Sequence, residues 1–234
     1  LHPESERSQV VSMEDDRQSN ALHYAASSGN VESINFILSL LPESEHRQIV
    51  SKQDKYGWSV LHHAAHSGNL ECIIAILNLF PQSQHKQLLC SEDGVGVTPL
   101  HLVFGSEKAD TVEAILCMLT ESHRTQAMNL QDRNGRTPLH DAVSQSFTSL
   151  NRILALFPDV ERLQLVTKQD QFGTSVLHHV AHSDDVEAVE TILDLLPLHQ
   201  ASGETLYSIM EIMEMMDMTH LLTARLKSSG SHIA

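Results

Sequence analysis

Residues 132–142 read Asp132-Arg133-Asn134-Gly135-Arg136-Thr137-Pro138-Leu139-His140-Asp141-Ala142. A glycine-containing turn runs straight into Thr-Pro. The Thr137 hydroxyl suits a helix N-cap, where it can accept from the exposed amides of the first turn. Pro138 suits the first helical position, where its missing N–H costs nothing. The same succession stands at Asp93-Gly94-Val95-Gly96-Val97-Thr98-Pro99-Leu100-His101. Leu-His recurs at residues 22–23, 61–62, 100–101, 139–140 and 177–178, at intervals of 39, 39, 39 and 38. An aspartate (Asp15, Asp54, Asp93, Asp132, Asp170) precedes each histidine by eight positions. Self-similarity at this period marks an array of one duplicated unit, whose copies bury their apolar faces only on each other.

A short helix follows each Leu-His pair. In the first two units Gly29 and Gly68 can close it in the left-handed conformation. That glycine is missing at Glu107, Ser146 and Asp184, which loosens the loop expectation in the last three units. A second helix shows 3.6-residue periodicity: Val31, Ile34, Leu38, Leu41; Leu70, Ile73, Ile74, Leu77; Val112, Ile115, Leu116, Leu119; Val186, Val189, Leu193, Leu196. No segment sustains strand alternation, so the fold class is all-α and the unit reads turn, helix, loop, helix. Polar, proline-led stretches then follow at Pro42, Pro81 and Pro158; they predict a short extra helical turn outside the second helix.

Thr137-Pro138-Leu139-His140-Asp141-Ala142, with relatives such as Ser59-Val60-Leu61-His62-His63-Ala64-Ala65, resembles the Thr-Pro-Leu-His-x-Ala signature of the ankyrin-repeat family. The resemblance covers residues 15–197. It implies a solenoid of stacked helix pairs whose turns project as a row of fingers. It also implies that His23, His62, His101, His140 and His178 tie neighbouring turns together by hydrogen bonds. The family period is about 33 residues, so this chain carries longer repeats. Gln18 stands where the first finger should have glycine, and that finger is expected to be distorted. The boundaries are a remnant of a preceding repeat at 1–14, then repeats at 15–53, 54–92, 93–131, 132–169 and 170–200. A C-terminal capping helix region at 201–227 and a flexible tail at 228–234 complete the chain.

Residues 3–15 copy residues 42–54 at an offset of 39. The chain therefore opens inside a repeat, and an exposed apolar face near Ile34 is expected. At the other end, Leu206, Ile209, Met210, Met213 and Met216 form a helical stripe; Met215 and Met218 add to its methionine content. A solenoid end requires such a cap, and a methionine-rich docking helix is the alternative.

The net charge of −15 argues against a phosphate-tracking nucleic-acid binder and against an anionic membrane surface. Three cysteines, Cys72, Cys90 and Cys117, lie in or beside apolar segments and read as buried thiols of a reducing, cytoplasmic compartment. His62 with His66, and His178 with His182, are four apart on a helix, but no third ligand stands at matching spacing, so no metal is expected. His63, His66, His179 and His182 read instead as solvent-facing members of a binding surface. No nucleophile motif or phosphate loop stands outside the repeats, so neither catalysis nor a cofactor is expected.

What remains is a binding surface of non-repeating residues on a repeating frame. By position these are Asp16, Arg17 and Ser19; Lys55, Tyr56, Trp58 and His66; Val95 and Val97; Arg133, Asn134, Arg136 and Gln145; Gln171, Phe172 and His182. Tryptophan, tyrosine and arginine dominate interface energetics, which centres the expectation on Lys55, Tyr56, Trp58, His66, Arg133, Asn134, Arg136, Gln145, Phe172 and His182. The bland counterpart is that Tyr56 and Trp58 only shield neighbouring fingers. The function expected is a monomeric protein-interaction scaffold binding a protein partner. The alternative is a structural or substrate-presenting arm of a larger enzyme. The lengthened repeats also resemble ankyrin effectors that intracellular bacteria deliver into host cells, which would place the partner in the host cytosol.

Overall fold

The computed structural model describes residues 4–106, 108–143, 150–182, 186–196, 198, 202–215 and 223. The chain divides into two compact units, Leu1–Ala127 and Met128–Ala234. Both are helical; the described residues contain no strand, only isolated bridges such as Gln53 with Ser59. No helix among them is long and apolar enough to cross a membrane.

The first unit opens with α1 (Glu4–Val11). Three repeats follow: α2 (Ala21–Ser27), α3 (Val31–Ser39) and α4 (Glu43–Val50); α5 (Val60–Ser67), α6 (Leu70–Leu77) and α7 (Gln82–Leu89); α8 (Pro99–Phe104), α9 (Ala109–Cys117) and α10 (Glu121–Met128). The helices α2, α5 and α8 pack side by side, and α3, α6 and α9 form a second row against them. Between the rows Leu22, Ile34, Leu61, Ile73, Ile76, Leu100, Ile115 and Leu116 are buried. Each first helix is launched by a polar cap, as with Thr98, whose hydroxyl accepts from His101 N–H before Pro99 begins α8. Gly68 closes α5 at φ 64°, the left-handed conformation that only glycine adopts without strain.

The second unit holds α11 (Pro138–Val143), α12 (Leu150–Leu154), α13 (Asp159–Thr167), α14 (Val176–His182), α15 (Val186–Leu195) and α16 (Gly203–Met215). Here α11 packs on α14 and α12 on α15. Helix α16 packs on α14, burying Ile209, Ile212 and Met213 and half-burying Leu206 and Met210. Met216, Met218, the tail at 228–234 and the glycine-free positions Glu107, Ser146 and Asp184 lie outside the described residues.

Several expectations need correction. The repeat has three helices, because α4, α7, α10 and α13 are helices of two turns or more rather than one extra turn. Their polar residues have a job at the end of the second helix, whose last carbonyls lack partners within it. The His46 imidazole lies 2.8 and 3.2 Å from the carbonyls of Leu38 and Leu41. His85 repeats the arrangement on Leu77 and Phe80 at 3.0 and 3.2 Å. Arg162 donates from Nε to Leu154 and Phe157 at 3.0 and 2.9 Å, and Arg124 donates to Leu116 at 3.1 Å. The lengthened period thus supplies a built-in C-cap, with the donor placed where the helix dipole favours positive charge.

The first finger is not distorted: Gln18 takes φ 60° and closes the same turn that glycine closes elsewhere. Ile34 is fully buried, because its side of α3 faces α2 and α6; the exposed apolar side chains on α1 and α3 are Val10 and Phe36. Cys72 is buried and Cys90 half-buried, but Cys117, the last residue of α9, is exposed; all three are free.

Candidate protein-binding surface

Every finger is built around its aspartate. One Asp54 oxygen accepts from the amides of Tyr56 and Trp58 at 2.9 and 3.0 Å. Asp15 holds Arg17 and Ser19, Asp93 holds Val95 and Val97, Asp132 holds Asn134 and Arg136, and Asp170 holds Phe172 and Thr174 in the same way. A short aspartate side chain mimics a backbone turn, which explains its place at the start of each tip. Within the first unit the fingers are laced together: Lys55 N–H donates to Arg17 O at 2.9 Å and Gly94 N–H to Tyr56 O at 3.0 Å. In the second unit Gln171 N–H donates to Asn134 O at 2.9 Å.

The signature histidines sit beneath the fingers. In each, Nδ1 accepts from the backbone N–H three residues earlier, from Asn20, Ser59, Thr98, Thr137 and Ser175, at 3.1 to 3.2 Å. That leaves the proton on Nε2, which faces the next finger. His23 Nε2 lies 3.2 Å from Lys52 O, and His140 Nε2 lies 3.2 Å from Thr174 O. His62 makes no such bond through Nε2, although the Ser91 and Val97 backbones act on it. Burial pushes His23, His62, His140 and His178 below the ordinary imidazole range, His62 to about 4. These four imidazoles are therefore neutral parts of the frame.

The second carboxylate oxygen of three aspartates reaches the side chains that vary. Tyr24 donates its hydroxyl to Asp15 at 2.5 Å. His63 Nε2 lies 3.1 Å from Asp54, and Trp58 donates its indole N–H to Asp93 on the following finger at 2.8 Å. The half-buried indole also lies against the rings of His63 and His66, with centroids 5.2 and 5.5 Å away. Lys55 Nζ stands 5.1 Å over the Tyr56 ring. Of these, Tyr24, Asp54, Tyr56, Trp58, His63 and Asp93, with Arg17, Ser19, Val95, Val97 and Leu102, border a groove of about 570 Å³ whose wall is mostly carbon. A groove of this size lies in the range typical of ligand sites.

Of the expected residues, the structure brings Arg17, Ser19, Tyr56, Trp58, Val95 and Val97 together in this groove. Lys55 and His66 are exposed beside it, and Asp16 is exposed on the first finger. In the second unit Arg133 and Asn134 are exposed on one tip, Gln171 and Phe172 on the next, and His182 on α14. Arg136 is half-buried and folds onto its own helix, its guanidinium 2.8 Å from Asp141. Burial pushes the Asp141 carboxyl up to about 6, against the opposing pull of Arg136. Gln145 lies outside the described residues.

Sequence reasoning missed Tyr24 and Leu102. A signal was available, because the residue just after each signature histidine is Tyr24, His63, Leu102, Asp141 and His179, a different type in almost every copy. His63 and His179, expected to face solvent, are half-buried. Among the described residues no cluster of three or more histidine, cysteine or acidic side chains could hold a metal ion. Residues 7–87 match the family described as ankyrin repeats (3 copies). No curated protein matches the chain.

Proposed function

From a chain of ankyrin repeats, which are protein–protein interaction modules, we propose a scaffold that binds a protein partner across its finger tips and the groove of its first unit. The observation that carries the reading is the groove itself, an apolar wall of about 570 Å³ that the repeat frame does not require. Tyr56 is the clearest case: its ring is exposed and contributes only its backbone to the finger ladder. In the second unit, Arg133, Asn134, Phe172 and His182 extend the proposal as a second contact surface. Arg136 enters it as the support beneath them. The reading gives the chain no catalytic role and places it where thiols stay reduced, in keeping with three free cysteines.

Affinity capture from a cell lysate, read by mass spectrometry, tests this with wild type, Tyr56→Ala and Phe172→Ala. Interface truncations at anchoring aromatics cost about 1–4 kcal/mol. A partner retained by wild type should be depleted from the Tyr56→Ala sample while helicity stays unchanged. A partner held equally by all three chains would remove the groove and the tips from the interface. If the chain acts as an effector, a host-cell lysate is the sample in which that depletion must appear.

A further inference from the structure

We propose that the groove of the first unit receives a basic side chain, lysine or arginine, from an extended partner segment; this rests on the reading of the groove as the partner site. Its walls combine the two features that recognise an organic cation. The first is aromatic: Tyr24, Tyr56 and Trp58 border one space, and ring faces attract a cation placed over them. Lys55 Nζ already stands 5.1 Å over one face of the Tyr56 ring, so a partner's cation must take the opposite face or displace Lys55.

The second feature is fixed negative charge. The three fingers around the groove carry Asp15, Asp16, Asp54, Glu92 and Asp93 against Arg17 and Lys55. Asp15, Asp54 and Asp93 are each locked by two finger amides and by Tyr24, His63 or Trp58. Their charges stand ready without reorganisation when a ligand arrives. The two imidazoles bordering the groove, His23 and His63, add no positive charge at neutral pH, because burial lowers both. An acidic segment would meet an excess of carboxylates. A purely apolar one would leave the field unused. A basic side chain lays its methylenes on the carbon wall and its charge among the carboxylates, as long cationic side chains do at apolar surfaces. The chain's −15 net charge steers the same ligand from a distance.

Trp58 is the only tryptophan, so its fluorescence reports on this groove alone. The full chain is titrated with N-acetyl-tetraarginine amide and, separately, with N-acetyl-tetraglutamate amide. A saturable change is expected with tetraarginine and none with tetraglutamate. Because an acidic protein can hold a polycation loosely anywhere, the deciding variants keep the charge unchanged. Tyr56→Ala should weaken tetraarginine binding roughly ten-fold, whereas Phe36→Ala, which removes an exposed ring outside the groove, should leave it unaltered. Absence of binding, equal binding of tetraglutamate, or equal affinity in Tyr56→Ala overturns the proposal. If it is overturned while Tyr56→Ala still loses a captured partner, the basic side chain is wrong and the groove stands. If capture also ignores Tyr56, both fall.

Discussion

Trp58 and Arg136 occupy the same place in two copies of one finger, four residues after its aspartate, yet they act in different directions. Trp58, in the first unit, reaches forward and bonds Asp93 on the next finger at 2.8 Å. Arg136, in the second unit, turns down to Asp141 on its own first helix, also at 2.8 Å. The forward reach straps two fingers and leaves its ring as a wall of the groove. The downward turn spends the side chain on a local ion pair, and the exposed chemistry passes to Arg133, Asn134 and Phe172 at the tips. An identical backbone turn thus yields a lined groove in one place and a braced tip in the other. The frame sets where a side chain starts, and its neighbours set where it goes.

The largest effect is expected where the lacing between fingers is closest. A Cβ on Gly57, at φ 87°, would stand 2.6 Å from the Gly94 amide nitrogen, in the bond that ties those two fingers. Gly173 has a similar φ of 77° but nothing within 4 Å of such a Cβ. Gly57→Ala adds overpacking to backbone strain and should cost about 4 kcal/mol. Gly173→Ala carries the strain alone, about 1 kcal/mol. Urea unfolding followed by circular dichroism compares them, and equal losses would show that the ladder between fingers contributes little.

Acid should separate the two regions next. His62 is neutral in the fold, held to about 4 by burial, against about 6.5 when unfolded. Its contribution is complete above pH 6.5 and disappears as pH falls toward 4, amounting to about 3 kcal/mol. Asp141 has the opposite sign. Its folded carboxyl, raised to about 6, prefers the proton more than the unfolded one does. Acidification from above pH 6 toward 4 therefore favours the folded second unit, by about 2 kcal/mol after allowing for its partial exposure. Side-chain NMR titration should find His62 uncharged at pH 5 and Asp141 half-protonated near pH 6. An Asp141→Asn chain should lose stability with acid more steeply than wild type. A His62 resonance titrating at its ordinary value would break the contrast.

Much of the frame was legible in the chain because it depends on local chemistry that must recur. Asp15, Asp54, Asp93, Asp132 and Asp170 announce the turns, Thr98 and Pro99 the helix start, and the Leu-His spacing the register. The third helix was only half legible: its polar residues looked like loop, since His46, His85, Arg124 and Arg162 work on carbonyls five and eight residues back, which no apolar stripe reveals. Gln18 misled because the left-handed turn is demanded by the Asp15 hydrogen bonds, which outweigh a residue's reluctance to adopt it. The groove was legible in its finger half and at His63. Tyr24 and Leu102 belong to first helices, where an apolar or aromatic residue reads as core until the packing shows which side it takes.

The smallest effects bear directly on Trp58 and Arg136. Trp58→Phe keeps an aromatic ring but removes the N–H that reaches Asp93 and part of the indole surface on His63 and His66, a loss of about 1–2 kcal/mol. Asp93 still holds its two finger amides, so the penalty should stay level between pH 5 and 8. Arg136→Met removes a cation from beside a carboxylate that is ionised only above about pH 6. At pH 8 it should cost about 1 kcal/mol, a modest figure because both partners are partly exposed. At pH 5 Asp141 is protonated with or without its partner, so the electrostatic share of that cost vanishes. Thermal melts of both variants at pH 5 and pH 8 therefore discriminate between a strap and a brace. A Trp58→Phe penalty that shrinks with acid, or an Arg136→Met penalty that does not, would mean that the two side chains stabilise their fingers in the same way.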